Sequence, residues 1–538
     1  MKSIFAIFSL SYALLVGLDA IAAPAQKPTT PVTAPKASNS PGPSAGLPNG
    51  DKGVDKGAKP SALPSPVSKE QRACVVRVNV TDQPYDFMHP WSKRAPVSRR
   101  ALGVVLSKER VLVTGELVAN ASFVELERAE DGEKMAAQID VVDYQANLAI
   151  IRPVNPSFLD GIKPIETTEA KAGDHAAVWQ LESTGALLTT SALVTTVEVS
   201  RYPIDDTALL LYRLTTSLQY RDGSFTVPVT KDGKLIGILM RYDPRSQNAD
   251  VIPSQVILHF LKDEESGSYH GFPKVGFAFA PLRDGQLRRY AGLNGDPKHS
   301  YLGGVYVTNV QKESPAAQAG VRPGDVLLKV AGKEVDQDGN YLDPLYGKIS
   351  ITNLISTHCF DGDSAQLELL RDGQLNEVSA KVAHVSSQES LIEPFTIDRA
   401  PRYYVLGGLV LQELSRQYLK EWGDWTKKAP EQFLYFDRYQ DEIFHSEPRK
   451  RIVILSQVLP SECSIGYEDM SQLVVSKIND VPLNSLADVE TALKKPINGF
   501  HKIEFDDNVR MIYLDAKQVA DQESVLLRTY GIPAIKRL

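Results

Sequence analysis

Short segments with the apolar and polar pattern of β-strands follow one another from Cys74 to about residue 245. Segments such as CVVRVNV alternate at a period of two, and apolar runs such as KLIGILMR lie between turn-forming residues. Many short strands separated by turns predict an all-β sandwich or barrel. The stretch IPSQVILHFLKDEESG has apolar residues at helical spacing. It predicts a helix that closes this unit near residue 265.

Two further units with a common order of elements follow this first unit. The run GGVYVTNVQKESPAAQAGVRPGDVLLKVAGKEV predicts a strand, a small helix over Pro315–Ala319, a turn and a second strand. From about Arg399 the same order of strand, helix-like segment, strand and helix recurs with weak identity. The pattern therefore predicts an internal repeat in outline.

The N-terminal segment has the pattern of a targeting signal followed by a linker. Lys2 precedes an apolar stretch, and Ala20-Ile21-Ala22 fits a small-residue cleavage site, so residues 1–22 are predicted to be a signal peptide. Residues 23–68 are rich in Pro, Ala and Ser and predict a disordered linker. We therefore expect an exported protein, periplasmic or extracytoplasmic, with no membrane span after signal cleavage.

Composition excludes several classes of function. The net charge of -7 disfavours nucleic acid as a partner, because phosphate binding needs a basic surface. The three cysteines lie far apart and form neither a disulfide framework nor a metal-ligand spacing. We expect no cofactor and no metal.

The run SPAAQAGVRPGDVLLKVAGKEV (Ser314–Val335) resembles a PDZ domain of the HtrA/Deg family of serine proteases. The segments DFMHPW, HFLKDEESGSYHGFP, RYYVLGGLVLQEL and VILSQVLPSECSIGYE resemble the plant-type Deg branch in particular, and the resemblance covers roughly residues 70 to 538. It implies a mainly β fold in which a chymotrypsin-like double β-barrel is followed by two PDZ-like domains. The expected domains are a trypsin-like unit at 69–265, a first PDZ domain at 266–390 and a divergent second one at 399–538.

The resemblance also implies a serine–histidine–aspartate triad, but each of its three positions holds another residue in this sequence. The histidine position, in the run VLVTGELV, is Glu116, and the aspartate position, in NLAII, is Asn147. The serine position, in GSFTVP, is Phe225. Since no histidine lies between His89 and His175, a shifted alignment does not supply one.

The nucleophile loop departs from the family pattern at its neighbouring positions too. Ser224 is either a displaced nucleophile or a loop hydroxyl that water satisfies, and no base is predicted beside it to activate it. Thr226 and Val227 replace the glycines that let the backbone approach a substrate carbonyl. We therefore predict a degenerate triad and a pseudoprotease.

The PDZ resemblance predicts a peptide-binding site as well. PDZ domains add an extended peptide to a sheet edge, and a glycine-containing loop before that edge receives the terminal carboxylate. The matching loop in the first PDZ unit is Val275-Gly276-Phe277, although Phe277 could equally be a core residue. In the third unit Gly407-Gly408-Leu409 occupies the equivalent place, where Tyr403 and Tyr404 favour packing over open binding.

Three hypotheses of function follow. The first is an exported scaffold, chaperone or regulator in envelope protein quality control, which binds polypeptides or protein C-termini through its first PDZ domain. Such a protein is expected to be a homo-oligomer, with mixed assembly with active Deg paralogues as an option, because the DFMHPW segment resembles a family assembly surface. The second is an active serine-type endopeptidase with an unorthodox site, and the third is a purely architectural oligomer.

Overall fold

A computed structural model of the chain describes residues 65–66, 74–128, 131–181, 187–205, 207–218, 227–293, 303–507 and 511–538. The predicted signal peptide lies outside the described residues. So does the predicted linker, apart from the two-residue strand Ser65–Pro66. The described chain is mainly β. This confirms the fold class that the strand pattern and the resemblance predict.

The N-terminal half of the described chain consists of two β-barrels. Strands β2 to β7 form a closed six-stranded barrel, and β8 to β13 form a second sheet that the β8–β9 pairing closes. The short strand β1 pairs with β9. The strands are β1 (Ser65–Pro66), β2 (Val75–Asp82), β3 (Val97–Val105), β4 (Val111–Val113), β5 (Ala121–Glu127), β6 (Lys134–Asp143), β7 (Leu148–Pro153), β8 (His175–Leu181), β9 (Leu187–Arg201), β10 (Ala208–Thr216), β11 (Val227–Lys231), β12 (Lys234–Asp243) and β13 (Asn248–Pro253).

Three short helical segments accompany the barrels. They are α1 (Gly115–Val118), a 3-10 turn (Pro156–Leu159) and α2 (Ser254–Glu265). Helix α2 lies where the helical spacing of its apolar residues predicts it. Its buried residues include Val256, Ile257 and Phe260, and this apolar face packs into a core that the two barrels share with the next domain.

The middle domain is a sheet in the order β14-β15-β16-β20-β21, with β14 at one edge. Its small helix α4 begins at Ser314, whose hydroxyl accepts a hydrogen bond from the Ala317 N–H, and Pro315 follows at the first helical position. The elements are β14 (Phe277–Pro281), α3 (Gly285–Tyr290), β15 (Val305–Val310), α4 (Pro315–Gln318), β16 (Val326–Val330), β17 (Lys333–Glu334), β18 (Asn340–Asp343), β19 (Gly347–Ser350), α5 (Thr352–Ser356), β20 (Ser364–Arg371) and β21 (Gln374–Lys381).

The C-terminal domain repeats this arrangement and has one extra strand at the start and one at the end of its sequence. Its sheet runs in the order β28-β27-β25-β24-β23-β22-β29, so two extra strands lie beyond β23. The elements, after a 3-10 turn (Ser387–Glu389), are β22 (Tyr403–Leu406), β23 (Leu409–Glu413), α6 (Arg416–Lys420), α7 (Trp425–Lys428), α8 (Glu431–Arg438), α9 (Gln440–Ser446), β24 (Val453–Val458), β25 (Leu473–Ile478), β26 (Val481–Pro482), α10 (Asp488–Leu493), β27 (Phe500–Phe505), β28 (Ile512–Asp515), α11 (Ala516–Tyr530) and β29 (Lys536–Arg537).

The barrels and the middle domain share a continuous core. One cluster of buried apolar side chains extends from both barrels through Phe260 and Phe272 into the middle sheet. His259 is stacked between Phe272 and Phe360, with ring centroids 4.5 and 4.3 Å apart. Because these side chains interdigitate, the middle domain is fixed on the second barrel rather than joined to it by a free linker.

Candidate functional sites: the barrel junction and the two strand edges

Two of the three predicted triad positions meet at the end of the first barrel. Helix α1 follows β4 and carries Glu116, and Asn147 lies immediately before β7. The backbone N–H of Glu116 donates to the Oδ1 of Asn147 at 2.8 Å. The third position, Phe225, lies outside the described residues together with Ser224.

Asn147 is held in an unusual backbone conformation at this junction. Its φ is +56°, in the left-handed region that asparagine and aspartate tolerate better than most residues. Its side chain is fully buried, and its Nδ2 has no hydrogen-bond partner among the described residues. The residue therefore serves as an acceptor that ties α1 to β7, and a neutral amide does not stabilise an imidazolium by charge.

The surroundings of Glu116 are cationic. Burial raises the pKa of its carboxyl group, and the nearby Arg99 and Lys420 oppose this shift. Arg99 also donates from Nη1 to the Glu116 carbonyl oxygen at 3.2 Å. Lys420 belongs to α6 of the C-terminal domain, so that domain contributes charge to the junction where a catalytic histidine would lie.

Replacing Asn147 should reveal how much the junction contributes to stability. We expect Asn147→Ala to lower the free energy of unfolding by about 2–4 kcal/mol, because it leaves the Glu116 N–H unpaired and puts alanine at a left-handed φ. Asn147→Gly loses the same hydrogen bond without the backbone strain, so its loss should be about 1–2 kcal/mol smaller. Urea unfolding of both variants measures the difference, and equal losses would contradict a contribution from φ.

Asp143 joins the first barrel to the segment before the middle domain. It accepts hydrogen bonds from the backbone N–H groups of Gln145 and Ala146 at 2.6 and 2.9 Å and from the Tyr269 hydroxyl. Burial raises the pKa of Asp143, and these hydrogen bonds oppose the shift. A Cβ at Gly271 would come within 3.0 Å of the His384 ring, so Gly271 and this ring are packed tightly against each other.

The predicted peptide loop lies before an edge strand. Strand β14 pairs with β15, in the register Phe277 to Val310, and its other side pairs with no strand in the part of the chain that the structure describes. Gly276, at a φ of +84°, turns the chain into this strand, and a Cβ there would come within 2.3 Å of the Ser314 Cβ. Its carbonyl oxygen accepts hydrogen bonds from the Gln311 N–H at 2.9 Å and the Ser314 hydroxyl at 3.2 Å. The loop is therefore held rigidly against the N-terminus of α4.

The two neighbours of Gly276 have different environments. Val275 is buried, and its carbonyl oxygen accepts from the Ala316 N–H at 2.9 Å. Phe277 is half-buried and packs against the shared core, with its ring 6.4 Å from that of Phe279. Val275 thus anchors the loop, whereas the partly exposed ring of Phe277 is compatible with both core packing and ligand contact.

In the C-terminal domain the equivalent edge is already paired. Gly407 and Gly408 turn the chain between β22 and β23, so β22 lies along the edge of β23. The other side of β22 pairs with β29 near the end of the sequence. Tyr403 is buried and donates from its hydroxyl to the Ala534 carbonyl oxygen at 2.8 Å. These strands occupy the positions that an added peptide would take beside β23.

The segment Asp86–Trp91, predicted as an assembly surface, packs against the C-terminal domain of the same chain. Gln412 donates from Nε2 to the Phe87 carbonyl oxygen at 3.2 Å, and Arg537 donates to the Pro90 carbonyl oxygen at 3.1 Å. The Trp91 ring meets the Tyr403 ring edge to face at 5.9 Å. Sequence reasoning missed this contact, because the partners are more than 300 positions apart.

Neither metal sites nor membrane spans emerge from the described part of the chain. No group of three or more His, Cys, Asp or Glu side chains there is placed to hold a metal ion. None of its helices has the length and apolarity to cross a membrane.

Comparison with known proteins finds two PDZ matches and similarity to Do-like proteases over most of the chain. The PDZ domain family matches residues 273–382 and again 392–536. Protease Do-like 2, chloroplastic, from Arabidopsis thaliana is 27% identical over 86% of this chain and 74% of its own length. Protease Do-like 4, mitochondrial, from the same organism is 23% identical over 86% of this chain and 84% of its own length. A solved structure of the HtrA-type protease AlgW with a decapeptide matches 59% of this chain and 99% of its own at 17% identity, with a TM-score of 0.43.

Proposed function

We propose that this chain, a member of the Deg/HtrA family with two PDZ domains, is a peptide-binding scaffold that has lost proteolysis. Its ligand is an extended polypeptide or a protein C-terminus that adds to the open edge of β14. The single observation that carries the proposal is the contrast between the two PDZ domains: among the described residues β14 is paired on one side only, whereas the matching β23 is paired on both.

The edge of β14 supports the binding half of the proposal. Backbone N–H and C=O groups along an unpaired strand edge form a template for another strand. Ala278 is exposed on this strand, so a small side chain leaves room beside the backbone for a ligand. By the PDZ resemblance, backbone N–H groups of the loop at Gly276 would receive the terminal carboxylate of such a ligand.

The junction of Glu116 and Asn147 supports the non-enzymatic half. Acyl transfer by a serine needs a base that takes its proton and a carboxylate that orients the base. A carboxylate with cationic neighbours and a neutral amide occupy these positions, and the sequence has Phe225 at the nucleophile position. These three positions therefore lack both the nucleophilic serine and the histidine base.

Labelling with a fluorophosphonate probe tests the loss of proteolysis. We expect the purified chain to remain unlabelled under conditions in which an active Do-like protease is labelled to completion, because no activated serine is available. Labelling that disappears in Ser224→Ala would instead establish the alternative, an endopeptidase with a displaced nucleophile.

The proposal includes location and assembly. The chain is exported, and it acts in envelope protein quality control as a homo-oligomer or together with active Deg paralogues. Support for export comes from the N-terminal sequence alone, and N-terminal sequencing of secreted protein checks it. The segment Asp86–Trp91 packs within the chain but leaves His89 exposed, so it stays a candidate surface for this assembly.

A further inference from the structure

A charged cavity lies where four separate parts of the chain meet. Its volume is about 230 Å³. The lining comes from the segment before β3, the stretch just before β22, the sheet of the C-terminal domain and the end of the sequence. The polar and charged lining residues are Glu393, Thr396, Arg399, Arg402, Glu413, Ser415, Arg451 and Arg537.

Positive charge exceeds negative charge in this lining. Four guanidinium groups face two carboxylates. Glu393 contacts Arg399 at 2.7 Å and Arg451 at 3.5 Å. Glu413 contacts Arg402 at 3.5 Å and Arg451 at 3.8 Å. Each carboxylate is therefore already shared between two arginines, and the lining side chains carry a net charge of two positive units. The terminal carboxylate of Leu538, which also lines the cavity, reduces this excess to one positive unit.

We propose that this cavity binds a small multivalent oxyanion with the chemistry of inorganic phosphate. Guanidinium groups present paired N–H donors that match the oxygens of phosphate and carboxylate. A cavity of 230 Å³ holds roughly seven or eight waters and is smaller than the usual pockets for drug-sized ligands, of about 300–1,000 Å³. The site therefore selects the anion itself rather than a nucleotide that carries it.

The bound anion has a structural consequence. Arg399 and Arg402 lie just before β22, Arg451 precedes β24 and Arg537 belongs to β29. The guanidinium of Arg537 also lies over the Tyr403 ring, 5.3 Å from its centroid. An anion that touches these arginines would connect the stretch before β22 and the last strand to the same sheet. Binding to the folded state alone raises stability by mass action.

Calorimetric titration of the full chain with inorganic phosphate, at constant ionic strength set by sodium chloride, tests the site. We expect saturable binding of one phosphate per chain and a higher Tm with phosphate than with chloride alone. AMP should bind no more tightly than phosphate, because the nucleoside does not fit. Heat changes that chloride reproduces, or tighter binding of AMP, would overturn the proposal.

Arg402→Gln and Arg94→Gln form a matched pair for this experiment. Both side chains are 49% exposed and pair with a glutamate, but Arg94, which contacts Glu421 at 2.6 Å and Asp86 at 4.0 Å, is not among the residues that line the cavity. We expect Arg402→Gln to weaken phosphate binding about tenfold, which is the loss of one charge-assisted hydrogen bond. Arg402→Lys should recover part of the affinity, and Arg94→Gln should change it less than about twofold. Equal effects of the two glutamine variants would refute the site.

Discussion

Gly276→Ala should abolish peptide binding at the first PDZ domain. The new Cβ would lie 2.3 Å from the Ser314 Cβ and 2.8 Å from its hydroxyl oxygen, so the loop or α4 has to move. The loop is also held by two hydrogen bonds to the Gly276 carbonyl oxygen, and a shift displaces the backbone donors that would receive a terminal carboxylate. The loss of one such charge-assisted bond already weakens binding about tenfold or more.

Fluorescence anisotropy with a labelled pool of decapeptides that end in Val, Leu or Phe measures this effect. Gly347→Ala is the matched control, because Gly347 has a φ of +77° against +84° for Gly276 but no atom within 4 Å of its added Cβ. Both variants carry the backbone strain of alanine at a positive φ, and only Gly276→Ala carries the clash. If the two variants bound the peptides equally well, the ligand site would lie elsewhere. Absence of binding by the unaltered chain would reject the proposed function itself.

The elements that local patterns specify could be predicted from the sequence. The helical spacing of VILHFL places α2, and Ser314-Pro315 supplies both the cap and the first helical residue of α4, predicted over Pro315–Ala319 and observed as Pro315–Gln318. Each of these features depends on residues a few positions apart. Propensity and capping act at this range, so a sequence carries them without an alignment.

Some of the candidate sites could also be predicted from the sequence, and others could not. The approach of Glu116 to Asn147 follows from the barrel topology that the resemblance implies, and the Gly276 loop follows from its own residues. The oxyanion cavity has no such signal, because Arg399, Arg451 and Arg537 are separated by dozens of positions and only the tertiary fold of the C-terminal domain brings them together. Likewise, no local pattern shows that β29 pairs with the outer side of β22, whereas the hairpin of β22 and β23 is local because only Gly407 and Gly408 separate the two strands. Contacts between distant segments depend on the tertiary fold, and a single sequence does not encode them as spacing.

Restoring the three triad side chains should not restore proteolysis. In the triple variant Glu116→His, Asn147→Asp, Phe225→Ser, the aspartate can still accept the hydrogen bond that the residue-116 N–H donates to Asn147 at 2.8 Å. The new histidine, however, would replace a carboxylate beside Arg99 and Lys420. Like charges lower the pKa of a histidine and make the imidazolium that forms during catalysis more costly. We therefore expect casein turnover about 10³-fold or more below that of an active Do-like protease.

A second variant separates the two causes of this deficit. Adding Thr226→Gly and Val227→Gly to the triple variant restores small residues where the backbone has to approach the scissile carbonyl, and removal of one oxyanion donor alone costs about 10²–10³ in kcat. Recovery of fluorescein-casein turnover only in this variant with five substitutions would assign the deficit to the loop. If the variant with five substitutions stays inactive, the cationic surroundings of residue 116 cause the deficit. Adding Lys420→Gln should then raise its activity. Turnover by the triple variant within tenfold of an active Do-like protease would show that both arguments are wrong, since the three side chains would then suffice.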